Sequence, residues 1–254
     1  MLTLEKVKLK KGSFLLDVDK LNIGSGETIA VMGISGSGKT TLLEVLSGLA
    51  SVDEGKASSD GSFSFGYQNP YLQFFTEKVS SEILFNKGKI GRIEGKEIVD
   101  HALSDFLLDP SYGSKSPYEL SGGEARRVLL ASLASDDVDY LFLDECLSGL
   151  DEEGELSLRR LLSRRRDYGK TTVFTSHDPD FSSLADRLLV MKSGKLVHDG
   201  NPRDILSSSS RSAEFGLNPT YYAMIAENIG LSGILSKDEL VEAIIRERKD
   251  LYEK

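Results

Sequence analysis

The chain has a single cysteine, Cys146, in 254 residues. One thiol excludes an internal disulfide and a metal centre built from cysteine ligands. No apolar run approaches the ~18 residues expected of a membrane span, and the N-terminus lacks the features of a secretory signal. Together these absences lead us to expect a cytosolic compartment. Positive charge is also scarce: 31 Lys and Arg stand against 40 Asp and Glu, a net charge of −9. That balance argues against nucleic acid as the main partner, because proteins of that kind usually carry a basic footprint. No heptad pattern is sustained and no internal repeat is visible. Hydrophobic content of 39% and charged content of 28% are ordinary, and the length suffices for one large domain or one domain with a subdomain.

Against that background one stretch stands out: Gly33-Ile34-Ser35-Gly36-Ser37-Gly38-Lys39-Thr40-Thr41. It follows the apolar run Thr28–Met32 and leads into Leu42-Leu43-Glu44-Val45-Leu46, so it reads as strand, glycine loop and helix. Small residues let successive backbone N–H groups converge on phosphate oxygens, and the helix N-terminus adds partial positive charge. In such a P-loop Lys39 reaches the β- and γ-phosphates, and the Thr40 hydroxyl can ligate Mg²⁺. The stretch predicts a binder of nucleoside triphosphates.

Elsewhere, short β-like runs are expected at Leu2–Leu9 and Phe14–Val18, and a half-buried strand at Phe63-Ser64-Phe65. A helical insertion is expected from about Tyr71 to Tyr118, with apolar residues at helical spacing in Val79–Phe85 and Lys96–Leu108. A helix should then run from about Ser121 to Ala134. The near-continuous apolar run Val138–Leu143, ending in Asp144-Glu145, reads as a buried parallel strand. Further elements are a helix at Glu152–Arg166, a β run at Thr171–Thr175, and a hairpin turning at Ser193-Gly194. Ser207–Ser210 reads as a short linker. Beyond it Pro219 should start one helix, and Ser236 with Glu239 should cap another. Alternating strands and helices predict a parallel α/β core.

Given the P-loop, Leu141-Phe142-Leu143-Asp144-Glu145 reads as a Walker B strand. Asp144 would hold Mg²⁺ and Glu145 would polarise the water that attacks the γ-phosphate. Leu120-Ser121-Gly122-Gly123-Glu124 is a second glycine turn opening a helix; taken alone, a plain Ser/Glu helix cap explains it as well. Placed before a Walker B strand, it makes the sequence resemble the nucleotide-binding subunits of ABC transporters, whose signature is usually LSGGQ. Other elements of that family follow in order. Tyr67-Gln68-Asn69-Pro70 resembles the Q-loop, Ser148-Gly149-Leu150-Asp151 the D-loop, and Ser176-His177-Asp178 the H-loop. The resemblance covers roughly residues 1–205.

The resemblance implies an α/β P-loop NTPase of the ABC ATPase type. It would have a β-rich N-terminal part, a helical subdomain at about 71–135, and a C-terminal helical extension at 206–254. It implies ATP and Mg²⁺ as cofactors, with Thr40, Gln68 and Asp144 around the metal and Glu145, His177 and Gln68 catalytic. Ser121, Gly122, Gly123 and Glu124 would complete the ATP site of a second ATPase subunit, homo- or heteromeric, and Asp151 would cross to it. Phe14, the one aromatic before the P-loop, is assigned to adenine. Two departures from the family pattern are Glu124 for the usual Gln and Cys146 for the common Pro.

The segment Gln68-Asn69-Pro70-Tyr71-Leu72-Gln73-Phe74-Phe75 and the tail from Phe215 resemble the energy-coupling-factor (ECF) ATPases, which drive vitamin and transition-metal uptake. That resemblance implies a membrane-embedded coupling subunit and a substrate-binding membrane subunit as partners, at the cytoplasmic face of the membrane. The competing readings are an ATPase of another ABC importer or exporter, a soluble ABC ATPase acting on DNA or ribosomes, and a binding-only module. Glu145 and His177 argue against the last.

Overall fold

The computed structural model describes residues 1–252, with side chains through residue 247. The last two residues of the expected extension, 206–254, lie outside it. The chain begins with β1 (Leu2–Lys11), β2 (Phe14–Ile23), β3 (Thr28–Met32), α1 (Lys39–Leu46), β4 (Glu54–Ser59) and β5 (Phe63–Gly66). Helices α2 (Val79–Ile83), α3 (Arg92–Asp105) and α4 (Gly122–Ser135) follow, then β6 (Tyr140–Leu143), α5 (Glu152–Asp167) and β7 (Thr171–Thr175). The remainder is α6 (Pro179–Ser182), β8 (Arg187–Lys192), β9 (Lys195–Gly200), α7 (Arg203–Leu206), α8 (Ser209–Glu214), α9 (Tyr221–Asn228) and α10 (Lys237–Tyr252). Among the described residues no helix is long and apolar enough to cross a membrane.

These elements form two units. One comprises Met1, Ile23–Glu27 and Ser59–Phe174; the other comprises Leu2–Asn22, Thr28–Ser58 and Thr175–Lys254. In the first, β7, β6 and β5 lie side by side in parallel, with Leu141 opposite both Ser64 and Thr172. All four residues of β6 are buried, as expected of a parallel strand covered on both faces. Strand β5 departs from expectation: Phe63 is exposed while Ser64, Phe65 and Gly66 are all buried. Its place beside β6 overrides the alternation, and the Ser64 hydroxyl is satisfied by Asp136 at 3.2 Å.

Helix ends in this unit are well provided. Ser121 and Glu124 form a reciprocal capping box on α4, satisfying two of the backbone donors that a helix start leaves open. Asp151 caps α5, which has Glu152, Glu153 and Glu155 in its first turn and Arg164, Arg165 and Arg166 in its last. That charge order complements the helix dipole.

In the second unit the strand order is β4-β1-β2-β9-β8-β3, with β3 parallel to β8 and β8 antiparallel to β9. Strand β2 extends to Ile23, beyond the expected Val18: Leu16 and Val18 are buried, and after the exposed pair Asp19-Lys20 the alternation resumes one residue out of step with Leu21 and Ile23 buried. The expected linker at Ser207–Ser210 is instead a tight turn between α7 and α8, closed by Ser212 Oγ on the Ile205 carbonyl at 2.9 Å. Helix α9 starts at Tyr221 and not at Pro219, because Thr220 caps it by accepting from Ala223 N at 3.1 Å. Ser236 does accept from Glu239 N at 3.3 Å, but the Glu239 carboxylate turns to Leu235 N and Arg203. Ala226, Ile234, Leu240 and Ala243 give this C-terminal segment a small apolar core of its own.

The β8–β9 turn supports two other elements. Ser193 and Gly194 take φ of 50° and 80°, the left-handed region that matches the twist of a hairpin. Gly194 donates to the Ser37 carbonyl at 2.9 Å and accepts from Asp17 N at 2.8 Å. A Cβ on Gly194 would lie 1.8 Å from the Leu15 carbonyl oxygen. Gly194→Ala should therefore cost about 2–4 kcal/mol, since strain and a backbone clash add. A fall of the chemical-unfolding midpoint checks this; an unchanged midpoint would mean that the turn can move aside.

Candidate functional site

In the unit built on β3, the loop between β3 and α1 lacks side-chain bulk where a phosphate chain would lie. Gly33, Gly36 and Gly38 have φ of 146°, 77° and 106°, a backbone path favouring glycine. A Cβ on Gly33 would meet the Met191 carbonyl at 2.3 Å, while the space beside Gly36 is open. Ser37 Oγ is buried with no hydrogen-bond partner, an orphan donor of the kind a ligand oxygen satisfies. The Phe14 ring packs on this loop, its Cζ 2.6 Å from where a Cβ on Gly38 would stand.

Lys39 is 7% exposed. Its ammonium donates to the Gly33 carbonyl at 3.0 Å and lies 3.3 Å from His177 Nε2. The loop after β7 thus meets the P-loop directly. Around His177, Asp178 N donates to Ser176 Oγ at 3.0 Å and Asp178 Oδ1 accepts from Phe181 N at 2.8 Å. These bonds fix the backbone on both sides of the exposed imidazole. Ile34 and Ser35 are exposed, and Thr40 and Thr41 lie in the first turn of α1, where N–H groups have no partner within the helix.

The other unit assembles the acids and the second glycine turn. Asp144, 5% exposed, donates its backbone N–H to the Gly66 carbonyl at 2.8 Å. Glu145 follows at φ 48°, a left-handed conformation uncommon for a side-chain-bearing residue. Gln68 is exposed on the loop after β5. Asn69 caps the short turn Pro70–Leu72 by accepting from Tyr71 N at 3.1 Å. The Gln73 amide closes the same segment, accepting from Tyr67 N at 2.6 Å and donating to the Phe65 carbonyl at 2.7 Å. Tyr71 OH donates to the Leu120 carbonyl and Tyr118 OH to the Phe74 carbonyl, each at 2.7 Å. The Q-loop segment and the Ser121 turn are therefore tied together.

At the signature turn, Ser121 Oγ donates to Glu124 Oε2 at 2.7 Å and Ser121 N to the same oxygen at 2.8 Å. Tyr112 OH donates to the other oxygen, Oε1. Glu124 is thereby folded back over its own helix start, away from Gly122, whose surroundings are open. Gly123 faces the Gly149 carbonyl, 3.2 Å from where a Cβ would stand. Asp151 caps α5 through Gly154 N at 2.9 Å and pairs with Arg127 at 3.5 Å. Cys146 is fully buried.

Arg126, Gln73, Tyr71 and Tyr112 join the site without belonging to any of the motifs above that carry site residues. Only Gln73 carried a signal, the second Gln of the Gln68–Phe75 segment. The roles of the other three depend on which loops lie beside them.

The glycine loop, the Lys39–His177 contact and the strand ending in two acids define a P-loop NTPase cassette. Residues 16–148 match the family model described as ABC transporter. The chain is 34% identical to energy-coupling factor transporter ATP-binding protein EcfA2 of Thermotoga maritima, over 88% of this chain and 89% of the relative. It is 30% identical to EcfA1 of Streptococcus thermophilus, over 96% of this chain and 98% of that protein. Among solved structures, cbiO1 of Clostridium perfringens, described as part of the ABC transporter complex cbiONQ, superposes with TM-score 0.68 at 27% identity. That superposition covers 80% of this chain and 88% of the other. An ATP-binding cassette solved as a dimer with ADP and Pi shares the fold, with TM-score 0.71 at 23% identity over 80% of this chain and 99% of that one. The chain belongs to the ABC transporter family and is an ATP-hydrolysing subunit of a membrane transporter.

The hydrogen bonds from Tyr112 and from Ser121 hold the Glu124 carboxyl down at about 2 from an ordinary 4.5. A lowered acid stabilises the fold in full above its unfolded value, and that contribution is lost as pH falls through the folded value. Glu124 therefore supports the signature turn above pH 4.5 and releases it as the pH drops towards about 2. Tyr112→Phe removes the first of these donors, so the Glu124 pKa should rise. Carboxyl titration by NMR checks this, and an unmoved value would contradict the hydrogen bond.

Proposed function

We propose that this chain is the ATPase of an ECF-type uptake transporter for a vitamin or transition metal, acting at the cytoplasmic face of the membrane. The observation that carries the subclass is the Gln68–Phe75 segment. Gln73 clamps its base, and its outer side presents Leu72 and the stacked rings of Phe75 and Phe85 to solvent, centroids 5.7 Å apart. A rigid turn with an apolar outer face suits a helix of a membrane coupling subunit. The names of the relatives support the same reading.

In this reading residues 1–205 are the ATPase domain, with a helical subdomain at about 71–135, and residues 206–254 an extension that contributes to dimer contact. Two ATPase subunits, identical or not, sandwich two ATP molecules. Each ATP lies on one P-loop, residues 33–41, with Phe14 at the adenine, and is completed by Ser121, Gly122, Gly123 and Glu124 of the opposing subunit. Asp151 lies at the dimer interface. The open space beside Gly36 and the orphaned Ser37 hydroxyl fit a polyphosphate. Thr40, Gln68 and Asp144 would supply the oxygen ligands that Mg²⁺ prefers. Bound there, the ion would neutralise charge on the phosphate oxygens.

The protein's own groups do the rest. Lys39 exchanges its Gly33 carbonyl for phosphate oxygens, and His177, already beside Lys39, faces the γ-phosphate. Glu145 accepts a proton from the attacking water, and Gln68 orients that water. ATP bridging the two subunits favours the closed dimer by differential affinity, which supplies conformational work to the membrane partners.

Purification of the tagged chain from gently solubilised membranes tests the subclass. A polytopic coupling subunit and a small substrate-binding membrane protein should co-purify. A conventional permease would discard the ECF assignment, and only soluble partners would overturn transport. For the chemistry, Glu145→Gln should lower ATP turnover by about 100-fold or more, typical of losing a general base, while equilibrium ATP binding persists. Lys39→Ala should lose binding itself. Steady hydrolysis by the Glu145 variant would remove that residue from the catalytic role.

A further inference from the structure

We infer that Arg126 is the positioning residue of the catalytic turn: one buried guanidinium sets the backbones of Glu145 and Gln68 relative to each other and ties both to the signature helix. The inference rests on the ATPase reading above and adds a residue to it.

Arg126 is 1% exposed, and the nearby charges of Asp144 and Glu145 favour its charged form without offsetting its burial. Its Nη1 donates to the carbonyls of Tyr67 and Gln68, the latter at 3.4 Å. Its Nη2 donates to the carbonyls of Asp144 and Glu145 at 3.2 and 3.1 Å. Nε is buried without a partner. Burial pushes the guanidinium below its ordinary pKa, and burying a cation costs several kcal/mol unless its hydrogen bonds compensate. Packing alone would be met more cheaply by an apolar side chain. A planar fork that reaches four carbonyls on two loops is something lysine cannot reproduce.

The target of that fork is the strained point of the site. Glu145 holds φ at 48°, a conformation costing about 1–3 kcal/mol that persists only where the surroundings over-determine it. Its carbonyl accepts from Arg126 on one side and from Ser148 N at 2.9 Å on the other. Those bonds orient the peptide plane and hence the carboxylate that must face water. Arg126 also lies five residues after Ser121 on α4, so any shift of the signature helix reaches both loops through one side chain.

Arg165 provides a control. It is also buried, and it bonds the carbonyls of Val138, Asp139 and Thr171 at the opposite end of β6 and β7, remote from Glu145 in sequence and strand position. The test measures Mg-ATP turnover, ATP affinity and melting temperature for the chain with its co-purifying partners, as wild type, Arg126→Lys, Arg126→Gln and Arg165→Lys. Both Arg126 variants should lose 10- to 100-fold in kcat, the order expected when a reacting group is misplaced by about 1 Å, with KM and ATP affinity within threefold. Lysine should give no rescue, because charge without the fork does not bridge the loops. Arg165→Lys should lower the melting temperature comparably and keep kcat within threefold. Turnover within threefold in either folded Arg126 variant, or an equal loss in Arg165→Lys, overturns the assignment. A wild type without turnover overturns the ATPase reading instead, a distinguishable result.

Discussion

A loop leaving a buried strand carries peptide groups into a region where water cannot satisfy them, and the geometry of this protein's functional loops follows from that constraint. At the end of β3 the solution is partly the backbone of another element and partly the loop's own lysine: Gly194 N donates to the Ser37 carbonyl, and the Lys39 ammonium covers the Gly33 carbonyl. At the end of β6 it is side chains, with the Arg126 guanidinium gathering carbonyls from the loops after β5 and β6. In both places the group that satisfies the loop also limits how the loop can move.

The two glycine turns use the same backbone chemistry to different ends. At the P-loop some of the hydrogen-bonding capacity is left unused, at the buried Ser37 hydroxyl, with open space beside Gly36. At the signature turn Glu124 consumes it: the carboxylate takes the Ser121 N–H and hydroxyl and a bond from Tyr112. The carboxylate is thus folded back over its own helix start and held in its charged form by three donors. The capping box read from Ser121 and Glu124 is present, and it leaves the space beside Gly122 open.

Much of the architecture was legible in the residues. The P-loop, the buried run of β6, the Ser193-Gly194 turn and the capping of α4 follow from local rules of glycine placement, apolar runs and capping. What failed did so for identifiable reasons. The alternation of Phe63-Ser64-Phe65 does not describe a strand covered on both sides except at Phe63. A serine run that looks like a linker becomes a turn because Ser212 finds the Ile205 carbonyl. The Glu239 carboxylate leaves its cap because Arg203, thirty-six residues earlier in the chain, is a stronger partner.

The sequence by itself determined that this chain holds a nucleotide, where the P-loop and acidic strand lie, and which family they belong to, because those features depend on residue type at fixed short spacing. Tertiary structure alone decided which side chain holds each loop. Nothing near Arg126 in sequence distinguishes it from Arg127, yet one gathers carbonyls of two loops while the other pairs with Asp151 and Glu153 at the surface of α5. The difference is the direction in which neighbouring positions on a helix point, about 100° apart, and what the fold has placed there.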